Sequence, residues 1–433
     1  GLAGESGTPR MMRSEKKRAP SPPSPRGRRS SSPPMGLLLR RPRPLRATLP
    51  IPALPALSLF FAAGVAAAVA LTDSAAAPSS PAPPPSSSSS SPLIVDPTAP
   101  GPIFDGLGAI SGGGSTATLL RDYPEPRRSE ILDLILLPSF GAALHVLKVE
   151  IGGDSPTTDG TESSHMHTRD KVDCTAGYEW WLMKEARRRN PDIITYGLTW
   201  SFPGWVQGDM DDMDTDNSTD ANGDVPYDEQ NPFLRPNRTI EYVLEWLQCA
   251  RDTHDLSINY LGLWNERETP EEINYVKLLR KSLDSSGFDS VKLIAKDTWG
   301  RGYSQTCREL ADDREYNDAI YAVGLHYPND FDPTTNGYKV CHELGKPVWA
   351  SEEYSSYGDT NGAQCLVRVI SSHYIESGIT SSLLWNAVGS YMHGTGWYSS
   401  SLLTADQPWS GGWYQRDDDA PAIWAMAHFT QFT

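Results

Sequence analysis

Along most of the chain, short runs of apolar and β-branched residues alternate with longer stretches in which apolar residues recur at helical spacing. The short runs predict eight strands, at residues 104–111, 145–151, 193–200, 258–264, 291–296, 320–326, 347–351 and 381–385. The longer stretches predict amphipathic helices between them, the clearest at residues 129–137, 177–189, 239–254, 271–283 and 363–377. Strands that alternate with helices in this way are typical of a parallel α/β sheet.

The size of this array favours one parallel architecture over another. Eight strands within about 285 residues match a (β/α)8 TIM barrel. The alternative is an open doubly wound sheet, which usually has a glycine-rich nucleotide loop after its first strand. The stretch GLGAISGGGS at residues 106–115 lacks the GxGxxG register and is not followed by GK[ST]. We interpret it as a tight first βα loop at the barrel mouth, and we predict a catalytic barrel over residues 96–433.

Residues 1–95 differ from the rest in composition and are predicted to be disordered, because a Pro-, Ser- and Arg-rich segment buries too little apolar surface to fold. Within it, about residues 35–77, arginines precede an apolar run and small residues follow, which is typical of a secretory signal peptide. The alternative is a membrane anchor, but the apolar run at residues 57–71 is shorter than the roughly 20 residues needed to span a bilayer. Residues 78–95 are predicted to be a flexible linker.

Charge divides unevenly between these two regions. The chain has 38 Lys and Arg against 54 Asp and Glu, a formal net charge of −16. Residues 1–95 hold twelve basic and three acidic residues and carry +9, which leaves −16 − 9 = −25 on residues 96–433. Such an acidic body disfavours binding to nucleic acid or anionic lipid, and we expect no nucleic-acid partner.

The cysteines and sequons are consistent with a secretory route. Asn217 and Asn237 begin N-x-[ST] triplets that are acceptors for N-glycosylation. The number of cysteines, five, is odd. In an oxidising compartment one of them is unpaired, or its partner lies outside this chain. No CxxC spacing supports a zinc ribbon.

Two glutamates at the ends of predicted strands are the main candidates for chemistry. Glu266 ends the fourth strand in the sequence WNE, and Glu352 follows the seventh in WASEE. Taken singly, either glutamate could be a solvated loop residue, but strands four and seven face each other across a barrel mouth. A carboxylate pair is what glycoside hydrolysis requires. Asn265 would bond the sugar 2-hydroxyl, and tryptophans at strand ends would stack on the sugar: Trp200, Trp205, Trp264 and Trp385.

Three other features leave alternatives open. The Asp-rich insertion at residues 209–224 invites a calcium loop, but it does not fit the EF-hand register, so we favour a solvated acidic loop. His165 and His167 alternate without a third ligand at zinc spacing. His326, at the end of the sixth strand, either lines the pocket or caps the barrel.

Motifs that follow one another along residues 102–433 resemble glycoside hydrolase family 59: VEIGGD, GYEWWLMKEA, LTWSFPGW, INYLGLWNER, WASEEYSS, LLWN and LLTADQPWSG. The resemblance implies that Glu266 is the acid/base and Glu352 the nucleophile, with Glu353 where the family has Asp. It implies no cofactor and no metal for the chemistry. It also places five residues in or beside the substrate pocket: Thr158, Trp200, Asn265, Ser355 and Trp385.

The resemblance further implies a retaining β-galactosidase that hydrolyses galactosylceramide in the lysosome, or after secretion, with the lipid presented by a saposin-like activator. In the family, β-sandwich and lectin-like domains follow the barrel; we expect this chain to lack them, together with a pocket arginine and the partner of Cys365. Two alternatives remain. One is a retaining glycosidase of the same barrel clan with another sugar or aglycone, and the other is an inactive fragment that binds glycan or lipid.

Overall fold

A computed structural model of the protein describes residues 98, 101–111, 120–157, 160–207, 231–299, 302–328, 337–354, 359–390, 400–405 and 420–432. Several predictions fall outside these residues: the disordered segment with its signal peptide and linker, the insertion at 209–224, Thr158 and Ser355. None of the described helices is long and apolar enough to cross a membrane.

Eight parallel strands close into a barrel, which confirms the predicted (β/α)8 fold. Each strand pairs with the next along the chain, and β8 closes the ring on β1, with Gly106 opposite Ser381 and Ile110 opposite Trp385. The strands are β1 Gly106–Ile110, β2 Val146–Ile151, β3 Ile194–Thr199, β4 Tyr260–Leu261, β5 Lys292–Thr298, β6 Ile320–His326, β7 Val348–Tyr354 and β8 Ile379–Trp385. A short parallel pair, β9 Val388–Ser390 and β10 Leu403–Ala405, follows the barrel.

Helices form the outer layer. The described ones are α1 Arg127–Leu136, α2 Glu179–Arg189, α3 Gly204–Gln207, α4 Pro236–Gln248, α5 Glu272–Ser285, α6 Gly302–Asp312, α7 Arg314–Ala319, α8 Gly337–Glu343, α9 Thr360–Ser372 and α10 Pro421–Thr430. The five predicted helices correspond to α1, α2, α4, α5 and α9, and two of them end in π-helical turns, at Cys249–Thr253 and His373–Ser377. Sequence periodicity did not predict α6, α7, α8 and α10.

The strand boundaries differ from prediction where charged residues continue a strand. β5 runs through Asp297 and β7 through Glu352 and Glu353, because these carboxylates are buried against partners instead of reaching solvent. The interpretation of residues 106–115 as a loop is wrong for residues 106–110, which form β1. Gly108 suits that strand because a Cβ there would lie 2.2 Å from the carbonyl oxygen of Val146.

Aromatic side chains pack the barrel interior below the mouth. Trp349 has its ring centroid 4.8 Å from that of Tyr260 and 6.4 Å from that of Tyr196. These rings belong to an inner apolar cluster that is separate from the larger core between strands and helices. The interior at this level is therefore filled by side chains, as is usual in such barrels.

Two disulfides join elements of the outer layer. Cys174 pairs with Cys249, and Cys307 pairs with Cys341. Cys365 on α9 is unpaired and partly exposed, as the odd number of cysteines requires for one of the five. Its pairing outside this chain stays a prediction.

Candidate active site

Glu266 and Glu352 come together at the barrel mouth. Glu266 follows β4 in a left-handed conformation (φ 53°), and its backbone N–H donates to the carbonyl of Asp297 at 2.9 Å, which joins the ends of β4 and β5. His326 lies between the two carboxylates, with Nδ1 3.0 Å from Glu266 Oε1 and 3.5 Å from Glu352 Oε2. A carboxylate oxygen of Glu266 and one of Glu352 lie within 4.8 Å of each other. This is shorter than the separation of about 6.5–9.5 Å found in inverting glycosidases.

A bulge in β7 decides which of the two adjacent glutamates faces the site. Strict alternation from the inward-facing Trp349 would turn Glu353 inward, but the pairing register shifts between Ala350 and Glu353. Glu352 consequently accepts a hydrogen bond from the Tyr327 hydroxyl at 2.5 Å. Glu353 points to the helical layer, where its Oε2 lies 3.4 Å from His373 Nε2. The structure thus brings Glu352, and not Glu353, to the side of Glu266.

β5 has a similar irregularity. Its register shifts between Lys296 and Thr298, and Asp297 has φ 56°. Lys296 turns outward to the helices, 2.9 Å from Glu309, while Asp297 turns into the barrel. Both bulges therefore direct a carboxylate inward at the level of the mouth.

Lys148 and Asp297 form a fully buried ion pair beneath the carboxylate pair. Lys148 Nζ lies 3.0 Å from Asp297 Oδ1 and donates to the carbonyl of Ser351 at 2.9 Å. The Tyr196 hydroxyl donates to the other Asp297 oxygen, Oδ2, at 2.5 Å. A buried pair is tolerable only when its remaining hydrogen-bonding groups are satisfied, as they are here. Sequence analysis missed these residues, although Lys148 within the strand sequence VLKVEI was an available signal.

His326 sets the ionisation of its neighbours. Burial acts to raise the pKa of Glu266, but the hydrogen bond and positive charge of His326 outweigh it and the pKa is lowered. Burial acts to lower the pKa of His326, but the charge of Glu352 and the hydrogen bonds to Asp297 and Glu266 raise it. General acids of glycosidases usually have a raised pKa, and Glu266 differs because His326 lies beside its carboxylate.

The other predicted pocket residues divide into two groups. Asn265 lies beside Glu266, and its Oδ1 is buried without a hydrogen-bond partner among the residues described. Trp200 has its ring 5.7 Å from Lys148 Nζ, and Trp385 ends β8 against the inner cluster. All three lie near the carboxyl ends of β3, β4 and β8, and their contact with substrate stays a prediction. Thr158 and Ser355 lie outside the described residues.

Two tryptophans predicted to form sugar-stacking walls are core residues. Trp205 is 4% exposed and donates from Nε1 to the Met166 carbonyl at 2.8 Å. Trp264 is 6% exposed and packs edge-on against Phe202 and Phe233. Trp205 lies in α3 and Trp264 lies three residues beyond β4, and both rings belong to the core between strands and helices.

The paired histidines have structural roles. His165 is buried, with Nε2 2.9 Å from the Tyr242 carbonyl, and burial lowers its pKa to about 4. His167 is exposed, and its Nδ1 lies 2.9 Å from Asp154 Oδ2. Across the described part of the chain, Glu266, His326 and Glu352 are the one group of at least three such side chains close enough to share an ion. The two glutamates are also close enough for a glycosidase carboxylate pair.

Related proteins align with about three quarters of this chain. It is 43% identical to "Galactocerebrosidase" of Danio rerio and 44% identical to that of Mus musculus, over 76% of this chain in both cases. The matched region covers 45% and 43% of those two proteins. The chain thus spans less than half the length of the curated relatives it matches.

Solved structures share the fold at low sequence identity. The endo-β1,6-glucanase BT3312 superposes with a TM-score of 0.59 at 16% identity, covering 79% of each chain. SrfJ from Salmonella typhimurium gives 0.56 at 15% identity, covering 76% of this chain and 75% of its own. These likenesses support the barrel alone. The model of glycosyl hydrolase family 59 matches residues 104–431, and the chain belongs to that family.

Proposed function

We propose that this protein is a retaining β-galactosidase that hydrolyses galactosyl sphingolipids, releasing galactose and ceramide from galactosylceramide. The observation that carries the proposal is the approach of Glu266 and Glu352 to within 4.8 Å at the mouth of a family 59 barrel. Retaining enzymes place their carboxyl groups about 5–5.5 Å apart, since the nucleophile must reach the anomeric carbon directly. The galactolipid assignment is supported by the names of the relatives.

The chemistry proceeds in two displacements. The Glu352 carboxylate attacks the anomeric carbon, the bond to the aglycone oxygen breaks, and that oxygen takes a proton from Glu266. Glu266 then removes a proton from water as the water attacks the same carbon, and the ester bond to Glu352 breaks. Inversion at each step gives net retention of the anomeric configuration, and no cofactor is consumed.

Four neighbouring residues support these roles. The Tyr327 hydroxyl donates to Glu352 and thereby orients one oxygen for attack. The open Oδ1 of Asn265 is placed to accept a hydrogen bond from the sugar 2-hydroxyl, a contact that strengthens as the oxocarbenium-like transition state forms. The rings of Trp200 and Trp385 supply flat apolar surface for the less polar face of galactose.

Azide rescue tests the mechanism and the register together. With azide and a 2,4-dinitrophenyl β-galactoside, Glu352→Gly should form α-galactosyl azide, because azide takes the place of the missing nucleophile. Glu266→Ala should form β-galactosyl azide, because azide replaces water on the glycosyl-enzyme. The matched variant is Glu353→Gly on the neighbouring position of β7. If that variant, and not Glu352→Gly, yields the α-azide, the assignment of the nucleophile is wrong.

A substrate panel tests the sugar and the aglycone. We expect hydrolysis of galactosylceramide presented in mixed micelles and little hydrolysis of glucosylceramide. Activity on β-glucosides without activity on β-galactosides would contradict the galactose assignment. The family resemblance supports action in the lysosome or after secretion. A saposin-like activator should stimulate hydrolysis of the micellar lipid more than hydrolysis of a soluble aryl galactoside, and this comparison tests the lipid-presenting partner.

A further inference from the structure

A line of charged side chains runs from the barrel interior to the catalytic pair. It starts at Lys148 on β2, passes through Asp297 on β5, and reaches His326 on β6, whose Nε2 lies 3.5 Å from Asp297 Oδ1. The other ring nitrogen faces the two catalytic carboxylates at 3.0 and 3.5 Å. The side chains of Lys148, Asp297 and His326 are all fully buried. Solvent therefore does not screen their interactions.

The surroundings of His326 specify its protonation. Each ring nitrogen faces carboxylate oxygens, so only the imidazolium, with a hydrogen on both nitrogens, offers a donor on both sides. The charged groups that face it are Glu266 from the end of β4, Asp297 from β5, Glu352 from β7 and Lys148 from β2. Because three carboxylates and only one ammonium group face the ring, a positive charge on His326 is favoured. The hydroxyls nearby belong to Tyr196, on Asp297, and to Tyr327, on Glu352.

We propose that His326 stores the proton that Glu266 delivers to the leaving oxygen, and that Asp297, fixed by Lys148, is the positioning residue that holds the imidazolium in place. This inference rests on the proposed function and deepens it. Glu266 and His326 act as one proton-sharing pair, so that the acid does not need a high pKa of its own. The lowered pKa of Glu266 and the raised pKa of His326 agree with this division.

The protons donated and taken up are equal over one catalytic cycle. In the first displacement the proton moves from His326 Nδ1 to Glu266 Oε1 and from Glu266 to the aglycone oxygen, which leaves a neutral imidazole and a glycosyl ester on Glu352. In the second, Glu266 takes a proton from the attacking water and returns it to Nδ1 as the ester bond breaks. The products are galactose and the alcohol, and the enzyme regains its starting charge.

The variant Asp297→Asn in the full-length protein tests the positioning role through leaving-group dependence. Methyl β-galactoside needs proton donation to its leaving oxygen, and we expect kcat/KM for it to fall about 100-fold, within the range for loss of general acid catalysis. The 2,4-dinitrophenolate leaves without a proton, so kcat/KM for its galactoside should change less than about threefold. The basic limb of the pH profile should move to lower pH by about one unit, because the carboxylate that stabilises the imidazolium is gone.

Tyr196→Phe is the matched control, since it removes a hydrogen bond from Asp297 and keeps its charge. We expect a smaller shift of the same limb and a smaller leaving-group difference. Equal losses on both galactosides in Asp297→Asn, with an unmoved basic limb, would mean that Asp297 only supports the structure, and the proposal would be overturned.

Asp297→Asn leaves Lys148 buried without its charged partner, which destabilises the fold. A measurement on the unaltered protein therefore provides an independent test. In protein labelled with ¹⁵N-histidine, the signals absent from His326→Gln identify His326. Both ring nitrogens should be protonated at the pH of maximal activity. An unprotonated His326 Nδ1 at that pH would overturn the inference, even if the enzyme retains the anomeric configuration. Failure to hydrolyse any galactoside would instead contradict the proposed function.

Discussion

Two groups of buried carboxylates lie in this barrel in opposite electrostatic surroundings. In the catalytic group, Lys148 and the bridging His326 outweigh burial, and the pKa values of Asp297 and Glu266 are lowered. In the second group, near the end of β2 and the start of α2, burial dominates. It raises the pKa of Glu162 to about 8 and that of Glu179 well above its ordinary value.

The difference lies chiefly in the partners, since Asp297 is as deeply buried as the second group, while the side chain of Glu266 is 27% exposed. Glu162 and Glu179 are 3% and 2% exposed, and neither forms an ion pair with a lysine or arginine within the described ranges. Glu162 instead accepts backbone N–H groups of Tyr178 and Glu179 at the start of α2. Without a cation, a buried carboxyl favours its neutral form, and with one it stays ionised. The first group therefore keeps Glu266 and Asp297 ionised, as the proposed chemistry requires, while the second should respond to pH as part of the scaffold.

The largest effect should come from the nucleophile. Glu352→Gln keeps the shape of the side chain but cannot form the glycosyl ester, so kcat should fall roughly 10⁵-fold, on the scale seen when a nucleophile is removed from other hydrolases. Glu179→Gln in the second group should retain kcat within about threefold, since it lies outside the reaction. Steady-state kinetics on a soluble aryl galactoside compare the two variants. Similar losses of kcat would contradict a functional difference between the two groups.

Glu266→Gln should have the next largest effect, and the effect should depend on the leaving group. We expect a loss of about 10²–10⁴-fold for alkyl galactosides, which need a proton, and a much smaller loss in kcat/KM for dinitrophenyl galactoside. A linear free-energy plot of kcat/KM against leaving-group pKa measures this. A slope equal to that of the unaltered enzyme would exclude Glu266 as the general acid.

The second group should make the fold more stable in acid. Because the pKa of Glu162 is raised to about 8 in the folded protein, the folded state binds more protons than the unfolded state between about pH 4.5 and 8. The stabilisation is fully present below the unfolded pKa and is lost as pH rises through the folded pKa. Thermal or denaturant unfolding at pH 5 and pH 8 should differ, and Glu162→Gln should reduce that difference by roughly 2–4 kcal/mol. An unchanged difference would show that Glu162 does not titrate in this window.

The smallest effect should come from the residue beside the nucleophile. Glu353→Gln leaves the mouth untouched, and we expect kcat/KM within about threefold of the unaltered enzyme. Its contact with His373 lies in the helical layer, so any change should be in stability. A loss comparable with that of Glu352→Gln would reverse the assignment of the two neighbours.

The sequence predicted the barrel because the alternation of strands and helices is a local signal. It located β6 at its observed bounds and placed the two glutamates near the carboxyl ends of β4 and β7. It could not predict that Glu352 and Asp297 turn inward, because two bulges reverse the alternation from which side-chain direction is inferred. The pairing of Lys148 with Asp297 spans 149 residues and exists only once the barrel closes. His326 stayed ambiguous for the same reason, since its partners come from β4, β5 and β7.

The aromatic packing beneath the two glutamates affects how water and the departing alcohol enter and leave the site. Among the described residues, Tyr196, Tyr260 and Trp349 fill the interior beneath the pair. In the proposed mechanism, we therefore expect the water that hydrolyses the glycosyl-enzyme to arrive from the mouth, by which the departing alcohol also leaves. An alcohol that lingers there competes with water for the same carbon, so added acceptors should convert part of the hydrolysis into sugar transfer.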